Sequence, residues 1–343
     1  MSASDPETHA STALRAPLRL GRIFLEKVWG GRSLERVPGI ALEGDGPIGE
    51  TWELVDRTDQ NSVVRGGEAD GTHLRDLMAT ERDALLGTAQ ATDEGRFPVL
   101  IKYLSASEPL SVQVHPNDAV AKKLGAGDSG KTESWYILDA EPGSLVYLGL
   151  RPEIDPTELC TAAGGPGVVD TLRAWPVTAG QFVHVPAGTL HAIGAGITLV
   201  EVQQNSDVTY RLYDWGRVGL DGTPRETHVN ECLLSTSYEE PVTGPVDPAL
   251  ESLGGDNHGA RLVDTEHYGL GLFELGSHLD LATEGKAQAL VLLEGTARLH
   301  HEGAAEPLMM ERGDTWLIPA SLGGYRIETT EGTAKVLVVD TKA

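Results

Sequence analysis

The stretch "GQFVHVPAGTLHAI", Gly180 to Ile193, holds a short apolar run, a Pro-Ala-Gly turn and then a histidine. A second stretch, "GDTWLIPASLGGYRI" from Gly313 to Ile327, has the same opening glycine and the same Pro-Ala six residues later. Upstream, "KTESWYILDA" (Lys131 to Ala140) lines up with "KAQALVLLEG" (Lys286 to Gly295) at a comparable interval. Repeated segments of this kind imply two related β-units. The copies differ in their polar residues: Gly324 stands where His191 does, and Gln288 where Glu133 does. The fold stands without those groups, so the copy that kept them is the one expected to do chemistry.

The same punctuation runs through the chain. Short β-type segments such as "FPVLIKYL", "LVYLGL" and "ITLVEVQQ", separated by Gly and Pro, predict barrels or sandwiches rather than βαβ units. Three helical stretches interrupt them. "THLRDLMATERDALLG" carries Leu74, Leu77, Met78, Leu85 and Leu86 near helical spacing. "NDAVAKKLG" predicts a short helix ending at Gly125. "DPTELCTAAGG" offers Asp155 as cap, Pro156 in the first turn and Glu158 in capping-box position.

Composition narrows the function classes. The 343 residues are 40% hydrophobic and contain no run of the eighteen or so apolar residues that a membrane span needs, so a soluble chain is expected. The opening "MSASDPETHAST" lacks the basic start and apolar stretch of a signal peptide. The two cysteines, Cys160 and Cys232, form no CxxC pair, which predicts a cytoplasmic protein without a disulfide framework. A net charge of −24 argues against nucleic acid as a partner, because phosphate attraction needs a basic face. With 27 cationic residues against 51 acidic ones, lysines and arginines near a candidate site become informative.

Four candidate ligands cluster in the first unit. In "LSVQVHPND" (Leu110 to Asp118), Ser111, Gln113 and His115 share one strand face, and Pro116 ends the run. Glu133 opens the strand "ESWYIL", and His191 follows the tight turn. Imidazole nitrogen and carboxylate oxygen suit Zn, Mn, Fe or Ni, and an amide ligand without thiolates favours a catalytic site with an open position. Singly, each is an ordinary core or surface residue; jointly they predict a metal centre.

"GQFVHVPAGTLHA" fits the second cupin motif, with Gly180, Pro186, Gly188 and His191 in register. The first motif is altered: Gln113-Val-His115 replaces the usual His-x-His, and its glutamate lies eighteen residues on. With "FLEKVWGGRSL", "IGETWELVDR" and "NSDVTYRLYDW", the set resembles the type I mannose-6-phosphate isomerase family in its shorter bacterial form. The resemblance covers nearly the whole chain. It implies a mainly β fold of two cupin or jelly-roll barrels with a small helical insertion, the first barrel catalytic and the second metal-free. It implies one zinc ion on Gln113, His115, Glu133 and His191, with other divalent metals left open. By position, the active-site arginine falls on Arg211, the lysine before the glutamate on Lys131, and the acidic candidate base on Glu201. The longer members carry a histidine directly before that lysine, where this chain has Gly130, so no ring-opening role transfers.

The expected layout is a tail at 1–14, a catalytic unit at 15–240, a linker at 241–262 marked by "EEPVTGPVDPALESLGGDNH", and a second unit at 263–343. The expected reaction is aldose–ketose interconversion of a sugar phosphate through an enediol, with Glu201 as first choice of base and Lys131 as second. Arg211, Lys131, Ser111 and Lys102 are the candidates for holding phosphate. Each has a plainer reading: Glu201 orienting a ligand histidine, Arg211 pairing with Asp207 or Asp214, Ser111 and Lys102 as polar groups of the barrel face. Three other functions fit the bare motif: isomerisation of an unphosphorylated sugar, an iron cupin dioxygenase, and a non-catalytic sugar-binding cupin. The oligomeric state is not legible.

Overall fold

The computed structural model describes residues 14–37, 39–238 and 242–343. The first unit is built on a six-stranded antiparallel sheet with spatial order Ile23–Gly31, Ile48–Leu54, Val99–Ala106, Ile197–Gln204, Glu133–Ala140, Phe182–Val185. A five-stranded sheet opposes it, in the order Tyr210–Tyr213, Val112–Val114, His191–Ile193, Leu145–Leu150, Leu172–Pro176. Leu104, Trp135, Val183 and Ile197 from the first sheet and Val146, Leu148 and Ile193 from the second form one buried cluster between them. This is a jelly-roll sandwich of the cupin type, mainly β with few helices.

The second unit repeats the plan. Its large sheet runs Glu251–Gly254, Asn257–Asp264, Tyr268–Leu275, Ala334–Thr341, Gln288–Glu294, Thr315–Ile318, and its small sheet His278–Ala282, Gly324–Thr329, Thr296–His301, Leu308–Glu311. The repeat seen in the sequence is therefore a repeat of topology. His191 pairs across the sheet with Gln113, and the equivalent Gly324 pairs with Ala282. The second barrel thus lacks the glutamine position as well as the histidine. Tyr325, the next residue, is buried instead, its hydroxyl donating to Gln288 at 2.8 Å.

Both faces of the central strands are buried. Along Val99–Ala106, Val99, Ile101 and Tyr103 face the second unit, packing in one core with Val200, Val202, Leu270, Leu337 and Val339. Lys102, Leu104 and Ala106 alternate with them and face the barrel interior. Leu74, Leu85 and Leu86 from the helices join the shared core. The helical stretch at 72–87 is two helices, Leu74–Thr80 and Arg82–Leu86, broken at Glu81. The other two fall where expected: Asp118–Leu124 with Gly125 left-handed at its end, and Pro156–Ala162 with the Asp155/Glu158 capping box. Helix Arg82–Leu86 ends at Gly87, whose positive φ of 62° meets the carbonyl of Gly285, where a Cβ would lie 2.0 Å from oxygen.

The layout differs from the expected one at two places. Within the expected linker, Glu251–Gly254 and Asn257–Asp264 form a hairpin on the edge of the second unit's large sheet. Gly254 and Gly255, both with positive φ, turn it. The polar, glycine-rich composition reflects an exposed edge and a tight turn rather than a tether. At the other end, Leu18–Arg19 pairs with Trp316 and Leu317 of the second unit, so the first unit's sheet begins at Ile23. Of the expected tail, residues 1–13 lie outside the described residues, and Leu14 is buried in the shared core. Cys160 is exposed and Cys232 buried, both unbridged. Among the described residues no helix is long and apolar enough to cross a membrane.

Candidate metal centre and active site

Four elements bring the polar side chains together. The strand Val112–Val114 places Gln113 opposite His191 on its neighbour, and His115 follows at its end. Pro116 and Asn117 then start the helix Asp118–Leu124, with the Asn117 side chain accepting from the Val120 amide at 2.9 Å. The chain returns through Gly130, where a Cβ would lie 2.5 Å from the backbone of Asn117 and Asp118. No side chain fits at that crossing. Lys131 and Glu133 follow at the start of the strand Glu133–Ala140, and Glu201 and Lys102 sit directly paired on the two adjacent strands.

His115, Glu133 and His191 offer ligand atoms that all lie within 4.8 Å of one another. Each is about 1% exposed. The Nδ1 of His115 donates to the Val208 carbonyl at 2.7 Å, and that of His191 to the Thr189 carbonyl at 2.9 Å. Both tautomers are thereby set, leaving an unprotonated Nε2 on each ring. These nitrogens approach Glu133 at 3.3 and 3.4 Å. Burial, together with the Lys131 ammonium, pushes the His115 imidazole down to about 3, and burial also lowers His191. Burial acts to raise Glu133, but the Lys131 ammonium outweighs it and holds the carboxyl well below its usual range. The result is two neutral imidazoles and a carboxylate, the protonation states a divalent cation requires. Glu133 Oε1 accepts from Trp135 Nε1 at 3.1 Å, while its Oε2 is paired with the Lys131 ammonium at 2.8 Å. Three buried carboxylates, Glu50, Glu133 and Glu201, meet two buried ammonium groups, Lys102 and Lys131, with Lys27 half-buried at the edge. The donor set, two imidazole nitrogens and a carboxylate within 4.8 Å of one another, fits a bound divalent cation.

The remaining groups surround this triad. Lys131 Nζ lies 2.8 Å from Glu133 and 3.6 Å from Glu201. Burial disfavours its charge, but Glu133 and Glu201 outweigh that and raise it, so Lys131 is an ammonium. Burial and the Glu133 charge raise Glu201 against the opposing pull of Lys131 and Lys102. Its Oε1, buried and unpartnered, is 3.5 Å from Lys102 Nζ. Gln113 Oε1 accepts from Ser111 Oγ at 2.9 Å, and Arg211 Nε reaches the same hydroxyl at 3.3 Å.

The sequence points the same way by comparison. The model of the phosphomannose isomerase type I catalytic domain matches residues 18–146. The mannose-6-phosphate isomerase ManA of Bacillus subtilis is 33% identical over 316 residues, 91% of this chain and 96% of that protein. The chain belongs to the type I mannose-6-phosphate isomerase family. A mannose-6-phosphate isomerase from Streptococcus mutans is 30% identical over 91% of the chain and 95% of its own length. A crystal structure of the mannose 6-phosphate isomerase from Bacillus subtilis superimposes with a TM-score of 0.84 at 29% identity, covering 94% of this chain and 99% of that one.

Within this isomerase the expected site residues converge, with differences in detail. Both candidate ligand histidines give their Nδ1–H to backbone carbonyls, so Glu201 orients neither. Asp214 is taken by Arg217 and Arg225, and among the described residues Arg211 has no carboxylate partner; its Nη1 donates to the Glu226 carbonyl at 2.8 Å. Lys102 lies beneath the site rather than at its rim, between Glu201 and Glu50 and 5.1 Å from the centre of the Trp52 ring. Sequence reasoning missed Glu50, which accepts from Trp52 Nε1 at 2.8 Å and pairs with Lys27 at 3.3 Å. The strand "IGETWEL" is buried on both faces, so no alternation marked it. The signal was the charge itself, a glutamate inside a fully buried run.

Proposed function

We propose that the chain interconverts mannose 6-phosphate and fructose 6-phosphate by moving a proton between C2 and C1 through an enediol. The observation that carries this reading is the Glu201 carboxylate. It is buried beside the ligand triad, has an unmet oxygen, and faces the Lys131 and Lys102 ammonium groups. Its raised proton affinity suits a group that must take a proton from carbon and give it back. In the forward direction Glu201 takes the C2 proton as O1 gains one from water, and the same carboxyl, after exchange with solvent, returns a proton to C1 as the O2 hydroxyl gives its proton to water. The Lys131 ammonium, its charge locked by two carboxylates, keeps its proton and donates hydrogen bonds to the substrate oxygens. Arg211, a planar fork with no carboxylate of its own, holds the phosphate together with Ser111. Lys102 keeps Glu201 ionised from behind.

The proposed ligands are His115, Glu133, His191 and Gln113. The amide of Gln113 has Nε2 at 3.2 Å from His191 Nε2. Exchanging its oxygen and nitrogen presents a carbonyl oxygen to a cation and still leaves a donor for Ser111. A bound divalent cation, zinc in this reading, supplies Lewis-acid stabilisation of the charge that develops on the substrate oxygens.

The test is isomerisation in D2O followed by NMR. Fructose 6-phosphate formed from mannose 6-phosphate should carry solvent deuterium at C1. Glu201→Gln should keep its metal and lose exchange at C2. Exchange at the wild-type rate would remove Glu201 as the base, and turnover of mannose but not of its phosphate would reassign the substrate.

A further inference from the structure

The turn that fixes both ligand histidines also forms one wall of a cavity on the far side of the chain from the triad. Gly188 donates its amide to the His115 carbonyl at 2.7 Å, and the Thr189 carbonyl holds the His191 ring. The Gly188 carbonyl in turn accepts from the Ser237 amide at 2.8 Å. Thr189 and Leu190 of this turn, with Arg151, Arg173, Tyr238 and Val242, line a cavity of about 410 Å3. That volume lies within the range of small-ligand pockets, roughly 300–1,000 Å3.

Arg173 is the unusual group there. It is half-buried, and among the described residues its guanidinium makes no direct ion pair or hydrogen bond, the exposed Glu153 carboxylate feeling its charge only from a distance. It lies over the Trp175 ring, 5.7 Å from the centroid. In a chain with a net charge of −24, a half-buried guanidinium without a direct ion pair is open to an anion from outside. Arg151, across the same cavity, is engaged with Glu153 at 2.5 Å on its exposed side. Thr189 and Tyr238 bring hydroxyl groups, and Leu190 and Val242 an apolar wall.

We propose that this cavity is an effector site for a small organic phosphate. Arg173 pairs with the phosphate, and the body of the ligand lies against Leu190, Val242 and the Tyr238 ring. Because the Pro186–Leu190 turn touches this ligand on one side and fixes His115 and His191 on the other, occupancy changes how tightly the metal is held. The site is separate from Arg211 and Ser111, and its occupancy is read without turnover.

Phenyl phosphate, which lacks sugar hydroxyls, is the probe. Calorimetric titration into the metal-loaded full chain should show binding that Arg211→Met retains and Arg173→Met weakens about tenfold or more, the loss of a charge-assisted contact. Arg173→Lys, which keeps the charge, should recover part of the affinity and shows that the pocket is folded. Metal release to a chelator should change rate with phenyl phosphate in the wild type and not in Arg173→Met. Absence of binding, or binding that Arg211→Met abolishes and Arg173→Met leaves intact, overturns the site. Binding at Arg173 with an unchanged metal-release rate overturns the coupling.

Discussion

His115 and His191 each commit one ring nitrogen to a backbone carbonyl and keep the other for the site. A side chain fixed in this way is poised to bind an ion, because neither ring has to turn or change tautomer. His115→Ala and His191→Ala should therefore each lower metal content well below one equivalent, measured by mass spectrometry after desalting, with the fold retained by circular dichroism. A full equivalent in either variant would contradict that residue's place in the ligand set. The three charged or imidazole ligands were legible as a pattern because strand alternation and the emptied second copy marked them. Glu50 and the depth of Lys102 were not. Their strands are buried on both sides, one face in the barrel and one against the second unit, so polarity no longer reports direction. Why Gln113 rather than histidine stands opposite His191 has a partial answer: an amide satisfies Ser111 with one end while serving the site with the other.

The helix Asp118–Leu124 is the element that brings Glu133 back beside His115. Asn117 caps its start, and Gly125 closes it at φ 65°, ψ 38°, a left-handed conformation that glycine adopts without strain. Asn117→Ala removes one cap bond and should cost about 1 kcal/mol in urea unfolding, with weaker metal retention because Lys131 and Glu133 lie just downstream. Unchanged stability would mean that tertiary packing alone sets this helix. Caps and terminal glycines are local chemistry, which is why this helix and Pro156–Ala162 were readable from sequence. The break at Glu81 was not, because Leu74 to Leu86 keep nearly helical spacing across it. The edge hairpin Glu251–Asp264 was also missed, since an exposed strand pair is as polar as a tether.

The two units share a buried core, so the catalytic sheet is stiffened from behind by a barrel that has lost its own ligands. Tyr268 of the second unit reaches Ser134, next to Glu133, with a hydroxyl–hydroxyl bond of 2.9 Å. Within the first barrel, burial works against the Glu50 charge, but Lys102, Lys27 and the Trp52 indole hold its carboxyl at about 2, against an ordinary value near 4.5. A depressed folded-state value contributes stability that is fully present above 4.5 and lost as pH falls toward 2, because the unfolded chain takes the proton first. The contribution is on the order of 3 kcal/mol at most. Glu50→Gln should be less stable at neutral pH and should lose less of its remaining stability across that acid window than the wild type. Parallel acid profiles would place the charge balance elsewhere. Duplication made the barrel pair legible at this scale, while the contact between the pair, carried by apolar residues that any core would use, was not.

The most direct test of the metal-assisted isomerase is a coupled assay of mannose 6-phosphate to fructose 6-phosphate before and after chelation. Activity should fall to background when the metal is removed and return on adding one equivalent of zinc. Full activity in the chelated, metal-free chain would contradict it.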